Sequence, residues 1–392
     1  MSVGPALAAV AGIGCVCGTG TSLNLTLDGL EAHPPRPAPP RRLPEISSTH
    51  PVFEVTLPGA PETGLFAEHG LAMLWRSVLQ ALRQAGLSPE DMAGKRVGVC
   101  IGSSVGFATD CFPLYRAWKQ GHKPPPEGLS NFQRSNYALA LHERLRLTGP
   151  CQLVANACAS GTDAIGIGAQ WIASGACDMV LAGGAEALSL VSYAGFIRLM
   201  ITSNSPCRPF DRARDGLNLG EGAAVLLLCA DAASSRTAGR ILGYGAASDA
   251  YHLTAPHPEG RGLKKAFATA LGQANLSPRD MAFVCVHGTG TPENDKVEGK
   301  VLRELFPGTA FLATKGATGH ALGSAGAVEA AITLGFLNRG RIPASPGFRE
   351  PDPQIGVCPT ERPKRLTGRV AASDSLAFGG CNAVLILEGA RA

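Results

Sequence analysis

Strand-like and helix-like stretches alternate along this chain in two series of the same order, and that repeat restricts the fold more than any other feature. The first series runs from a helical pattern at Leu65–Gly86 to an apolar strand at Arg96–Ile101 that ends in Gly102-Ser103-Ser104. It continues through a strand at Gln152–Ala157, a helix at Ser160–Ser174, a strand at Asp178–Leu181 closed by a Gly183-Gly184 turn, and a strand at Gly222–Cys229. The second opens near Arg240 with the strand ILGYG, a helix at Gly262–Gln273, the strand AFVCVHG and a helix at Asn294–Leu305. A strand FLATK, a helix over Gly319–Leu337 and strands near Val370 and Val384–Leu387 complete it. Short apolar runs bury strands, whereas apolar residues recurring at i, i+3 and i+4 bury one face of a helix. Such alternation builds a layered α/β fold. The expectation is two similar halves, residues 1–235 and 236–392.

Composition narrows the function classes. A chain of 392 residues exceeds one typical domain and can enclose a deep, dry site. Hydrophobic residues at 45% against 17% charged argue against disorder, and 49 glycines suit closely packed layers. A net charge of +4 with no basic tract excludes a nucleic-acid-binding surface. Twelve irregularly spaced cysteines point to free thiols in a reducing cytoplasm. Cys15 and Cys17 form a lone C-x-C, so no metal site is expected. The start MSVGPALAAVAGIG lacks the basic residues of a secretory signal, and no run approaches the roughly 20 apolar residues that span a bilayer. Glu31–Pro44, rich in proline, should run as an extended surface arm.

Three strand ends carry the chemistry. Cys158 lies in VANACASGTDA, after an apolar strand and before a helix. A thiol at a helix N-terminus faces unpaired N–H groups and the positive end of the dipole, which favour thiolate. Small neighbours leave room for a carbonyl to approach, although a buried structural cysteine fits the same pattern. His287 follows a strand and opens the loop HGTGT, and Lys315 ends another strand before KGATGHALG, where His320 precedes a helix. Either histidine alone is more often a hydrogen-bonded core residue than a catalyst. All three together suggest one site.

NACASG around Cys158, HGTGTPENDKVE from His287, KGATGHALGSAGAVE from Lys315 and the C-terminal LAFGGCNA resemble the β-ketoacyl-acyl carrier protein synthases of the elongating Cys-His-His type. RPFDRARDGLNLGEGA from Arg208 and DAYHLT from Asp249, which includes Thr254, extend the likeness. The resemblance implies a thiolase-like α/β/α/β/α fold, a homodimer, no cofactor, and substrates carried on the phosphopantetheine of an acyl carrier protein. It implies a nucleophile at Cys158, hydrogen bonds to a malonyl enolate from His287 and His320, and an oxyanion site at the N–H groups of Cys158 and Phe378. Lys315 and Glu329 match a pair that orients His320, and Thr289 and Thr291 match residues that hold the pantetheine arm. Asp295, Glu298 and Asn382 match residues that brace the site, Val105 matches a position that lines the acyl pocket at the dimer interface, and Phe378 matches a gating aromatic.

The chain departs from that pattern in places. Ala377 stands where glycine usually precedes the gate and should stiffen it, while Asp374 and Leu376 replace the more usual Asn and Phe. Residues 60–75 lack the cations that commonly meet a carrier protein, which leaves Arg116, Lys119, Lys123, Arg134, Arg212 or Arg214 for docking. Two rivals remain. A thiolase would need a second cysteine, for which Cys381 is the candidate. A non-catalytic chain-length partner in a heterodimer would lack the nucleophile.

Overall fold

The computed structural model describes residues 6–43, 50–59, 62–106, 108–123, 136–230 and 237–390. The strands are β1 (Ala8–Cys17), β2 (Val97–Gly102), β3 (Cys151–Val154), β4 (Met179–Glu186), β5 (Gly222–Cys229), β6 (Gly239–Ser248), β7 (Phe283–Val286) and β8 (Ala310–Ala313). A short ribbon of β9 (Arg341–Ile342) and β10 (Lys364–Arg365) follows, then β11 (Val370–Ala377) and β12 (Cys381–Gly389). Ten strands form one sheet in the order β3-β2-β4-β5-β1-β6-β12-β11-β7-β8.

That order contains one pattern twice. In the first half β3, β2 and β4 are parallel, then β5 and β1 each run antiparallel to their neighbour. In the second, β8, β7 and β11 are parallel, and β12 and β6 are antiparallel in turn. The halves meet where β1 pairs antiparallel with β6 through Ala8–Ile241 and Val10–Gly239. The expected division at 235/236 falls within residues 231–236, outside the described residues.

The helices are α1 (Leu23–Ala32), α2 (His69–Gln84), α3 (Ala108–Lys119), α4 (Tyr137–Arg144), α5 (Ser160–Ala173), α6 (Leu190–Arg198), α7 (Arg261–Ala274), α8 (Pro292–Leu305) and α9 (Ala325–Arg339). Helices α5 and α9 touch strands of both halves, whereas α2 packs chiefly on β1, β5 and β4 and α7 chiefly on β6 and β12. The result is the expected α/β/α/β/α sandwich. Every residue of α9 from Ala325 to Leu337 is buried, as a helix that is apolar all round must be. Helix α2 instead turns one face to its sheet. Three apolar layers result: one around α5 and α9, one under α2 and one under α7.

Several expectations shift. Gly183 and Gly184 lie within β4 and are not a turn. The helix expected from Gly319 starts at Ala325, because Gly319 (φ +67°) and Leu322 (φ +47°) break the path before it. From Ala8 the N-terminal apolar run forms β1 at the sheet's centre, and the proline-rich segment begins inside α1 and, as far as Leu43, carries a lone bridge from Ala38 to Val52.

Candidate active site

Cys158 sits in a single helical turn, Ala157–Ala159, that joins the end of β3 to α5. Ala157 has φ +47°, a left-handed conformation that bends the chain sharply and sets the sulphur at the helix mouth. The second half repeats this device. Leu322, also at φ +47°, begins the one-turn segment Leu322–Ser324 ahead of α9, two residues after His320. Cys158 and His320 thus come from equivalent strand-to-helix connections of the two halves. His320 Nε2 lies 3.1 Å from Cys158 Sγ.

His287 follows β7, and its ring stands 5.1 Å from that of His320 at 85°. Lys315, in the turn after β8, directs its ammonium to His287 Nδ1 at 3.2 Å, to the His287 carbonyl at 2.5 Å and to the Glu329 carboxylate. An ammonium only donates, so His287 Nδ1 must accept and the ring proton resides on Nε2. The expected Lys315–Glu329 pair is therefore present, but it orients His287 and acts on His320 only through its charge. Burial, together with the charge of Lys315, holds both histidines well below the usual imidazole range, so both rings are neutral.

The thiol differs from its expectation. Burial pushes Cys158 up to about 12, with Lys315 and a hydrogen bond from the Phe378 N–H pulling down and Glu186 and Glu329 pushing up. Desolvation outweighs the helix terminus here, and the resting group is a neutral thiol beside a neutral imidazole that can take its proton. These groups face a cavity of about 330 Å³ lined by Cys158, His287, His320, Thr254, Thr289, Thr291, Phe378 and Asn382, with apolar walls from Leu199, Ile201, Leu217 and Leu376.

Two family models cover most of the chain. Residues 58–233 match the β-ketoacyl synthase N-terminal domain and residues 238–349 its C-terminal domain. The chain belongs to the β-ketoacyl synthase family. A 3-oxoacyl-(acyl-carrier-protein) synthase 2 of Staphylococcus aureus (strain N315) is 33% identical over 332 residues, 79% of each chain. The mitochondrial 3-oxoacyl-(acyl-carrier-protein) synthase of Arabidopsis thaliana is 34% identical over 330 residues, 78% of this chain and 72% of that one. The solved ishigamide ketosynthase/chain length factor superposes with a TM-score of 0.88 at 28% identity, covering 97% of this chain and 98% of that one.

The other anticipated residues of this β-ketoacyl synthase fall into three groups. Thr289 and Thr291 share a 2.8 Å hydroxyl contact at the chamber wall, and Asn382 donates to the Gly380 carbonyl at 3.0 Å. Asp295 accepts from Phe210 and Gly290 N–H at 2.7 and 3.1 Å, and Glu298 from His287 and Gly288 N–H at 2.6 and 2.9 Å, so both stand behind the chamber and hold its loop. Val105 is not among the described residues that line this chamber, and an acyl pocket at a dimer interface needs a second chain. The Val105 N–H is tied to Glu186 at 3.2 Å, because that carboxylate gathers the whole turn after β2.

Among the docking cations, Arg116, Lys119 and Lys123 are exposed, whereas Arg212 pairs with Glu350 at 2.9 Å. Arg214 is withdrawn from any docking role, with only 7% of its side chain exposed and its guanidinium 2.5 Å from Asp352. Arg134 lies outside the described residues. Cys381 is half-buried and is not among the residues that line the chamber.

Two participants escaped the sequence reading, and a third, Asp374, stood there only as a replacement for Asn. Phe196 of α6 stacks on Phe378 at 5.6 Å and meets His320 edge-on at 6.5 Å, closing the chamber's aromatic side. Glu186, buried at the end of β4, accepts from Ser104 N–H at 2.6 Å and Gly323 N–H at 3.1 Å, joining the β2 turn to the His320 segment. Asp374 accepts from the His287 N–H at 2.8 Å. A buried carboxylate after a Gly-Gly-Ala stretch was the one visible signal for Glu186.

Proposed function

We propose that this chain is a β-ketoacyl-acyl carrier protein synthase that extends a Cys158-bound acyl group by decarboxylative condensation. The supporting observation is the 3.1 Å contact between His320 Nε2 and Cys158 Sγ beside a His287 ring whose Nδ1 is engaged by Lys315. Cys158 attacks the thioester carbonyl of an acyl group on carrier-protein phosphopantetheine while His320 takes the thiol proton. The oxyanion rests on the Phe378 and Cys158 N–H groups. As the tetrahedral adduct collapses, the pantetheine sulphur leaves with that proton.

Malonyl-carrier protein then enters, its arm along Thr289, Thr291 and Thr254. Loss of carbon dioxide leaves charge on the thioester oxygen, where His287 Nε2–H donates, joined by His320 once its ring has moved to the Nε2–H tautomer. The carbanion attacks the Cys158 thioester, a β-ketoacyl-carrier protein forms, and the cysteine sulphur is released and reprotonated. The product enters fatty-acid or polyketide and polyene assembly. The carrier protein docks through exposed cations such as Arg116, Lys119 and Lys123. The enzyme works as a homodimer, or as a heterodimer with a ketosynthase-like partner. Its described cysteines are unpaired, which suits the cytoplasm. Among the described residues no helix is long and apolar enough to cross a membrane.

Intact-protein mass spectrometry with acyl-carrier protein tests this directly. Wild type should gain one acyl group and Cys158→Ala none, while His287→Ala should still load but release no carbon dioxide from malonyl-carrier protein. A full-yield adduct on Cys158→Ala would overturn the assignment.

A further inference from the structure

Behind His287, away from the chamber, two acidic side chains converge on one donor. Glu298 Oε1 and Asp374 Oδ1 lie 2.6 and 2.8 Å from the same His287 N–H. Glu298 comes from the second turn of α8 and Asp374 from the middle of β11, so the two meet only in the fold. Both are fully buried. Glu298 Oε2 already receives Gly288 N–H at 2.9 Å and Asn294 Nδ2 at 3.0 Å, whereas Asp374 Oδ2 is buried with no hydrogen-bond partner among the described residues. Three donors reach the pair, but only the His287 N–H meets Asp374, which leaves the two buried carboxylates under-compensated.

We infer that Glu298 and Asp374 hold one proton between them, and that this proton fixes the peptide from which the His287 ring reaches the chamber. The His287 peptide is then gripped on both sides, its N–H by the acid pair and its C=O by the Lys315 ammonium. Neither carboxyl touches the chamber, so both are positioning residues.

The surroundings keep the proton in place. Asp295 faces the pair from α8, Glu329 from α9 and Cys285 from β7, all of them adding to the repulsion when ionised. Lys315 is the cation that faces Asp374, and it is already balanced by Glu329, while Arg214 faces Asp295 instead. Burial first and mutual repulsion second push Glu298 well above the usual carboxylate range, and burial pushes Asp374 up as well. The sign follows: the grip is intact while the proton is bound and fails as pH rises. Two carboxylates then repel beside the His287 N–H and displace its peptide.

Asp374→Asn tests this, because an amide N–H donates to Glu298 with no shared proton required. This rests on His287 serving malonyl decarboxylation, so carbon dioxide release and acyl loading are followed separately from roughly pH 6 to 10. The alkaline limb of carbon dioxide release should move up by about one pH unit or more, in kcat rather than KM, with the loading profile in place. An unmoved limb, or one that moves together with loading, overturns the proposal.

A second measurement needs no substrate. The infrared difference between wild type and Asp374→Asn at neutral pH should contain one neutral-carboxyl carbonyl band, and its absence also overturns the proposal. Glu298→Gln, which reverses donor and acceptor, carries the same expectations if the first variant folds poorly. Wild type that releases no carbon dioxide counts against the proposed function, and the band then decides the pair alone.

Discussion

Lys315 shows how one side chain sets the state of another. Its three donors are spent on His287 Nδ1, the His287 carbonyl and Glu329, so the ring's tautomer follows from an ammonium's lack of any acceptor. Lys315→Met should free Nδ1 to carry the proton and strip Nε2 of its donor, lowering malonyl decarboxylation by about 10²–10³-fold. Acyl loading should fall less, since Cys158 contacts His320. Removing one member of a buried pair costs about 3–5 kcal/mol, so the single variant should also melt early. Here a second sign works through Glu329, whose carboxyl burial raises to about 7 even with Lys315 beside it. Without that ammonium it should remain neutral at physiological pH, and Lys315→Met/Glu329→Gln should regain stability but not decarboxylation. Melting temperature and carbon dioxide release, measured together, check both halves of the statement. Recovery of both would mean that Lys315 serves the fold alone.

Between elements, the site depends on how closely β2 approaches α5. Gly102 ends β2 against the backbone of Ser160 and Gly161, and a methyl group there would overlap peptide atoms that have no rotamer to change. Gly102→Ala should thus cost about 1–3 kcal/mol and push the Cys158 turn out of line, lowering acyl loading in proportion. Thermal unfolding and loading rates check this, and a variant with normal stability and loading contradicts it. The same closeness explains what the sequence showed and concealed. Apolar runs ending in Cys158, His287 and Lys315 were legible because strand and nucleophile or imidazole are adjacent in the chain. Gly183 and Gly184 suggested a turn, but Gly184 is needed in a strand because Ser324 of the opposite half crosses over it. Phe196 against Phe378, Glu186 against Gly323 and Asp374 against the His287 N–H join segments far apart in sequence, and no local pattern records such contacts.

Across the whole molecule, the two halves share one strand pattern but end differently. At one edge β8 is covered, since the Phe311 carbonyl accepts both the N–H and the hydroxyl of Thr360 at 2.9 Å. At the other edge, among the described residues, β3 pairs with β2 alone. Val99 N–H donates to Pro150 and Ser103 N–H to Val154, and the alternation of a parallel ladder then turns the backbone of Cys151 and Leu153 outward. Cys151 and Gln152 are exposed there. An open edge of this kind is a template for another strand. We expect two copies to pair along β3, extending one sheet through both chains and placing the Cys158 turn, three residues beyond β3, next to the interface. Light scattering or native mass spectrometry of the wild type should give the mass of a dimer. Cys151→Pro deletes an outward donor and should shift that mass toward the monomer, because proline cannot supply a ladder hydrogen bond. Acyl loading should fall with the dimer fraction as the support of the Cys158 turn is lost. A wild type that is monomeric, or a proline variant that stays fully dimeric, would place the contact elsewhere on the molecule.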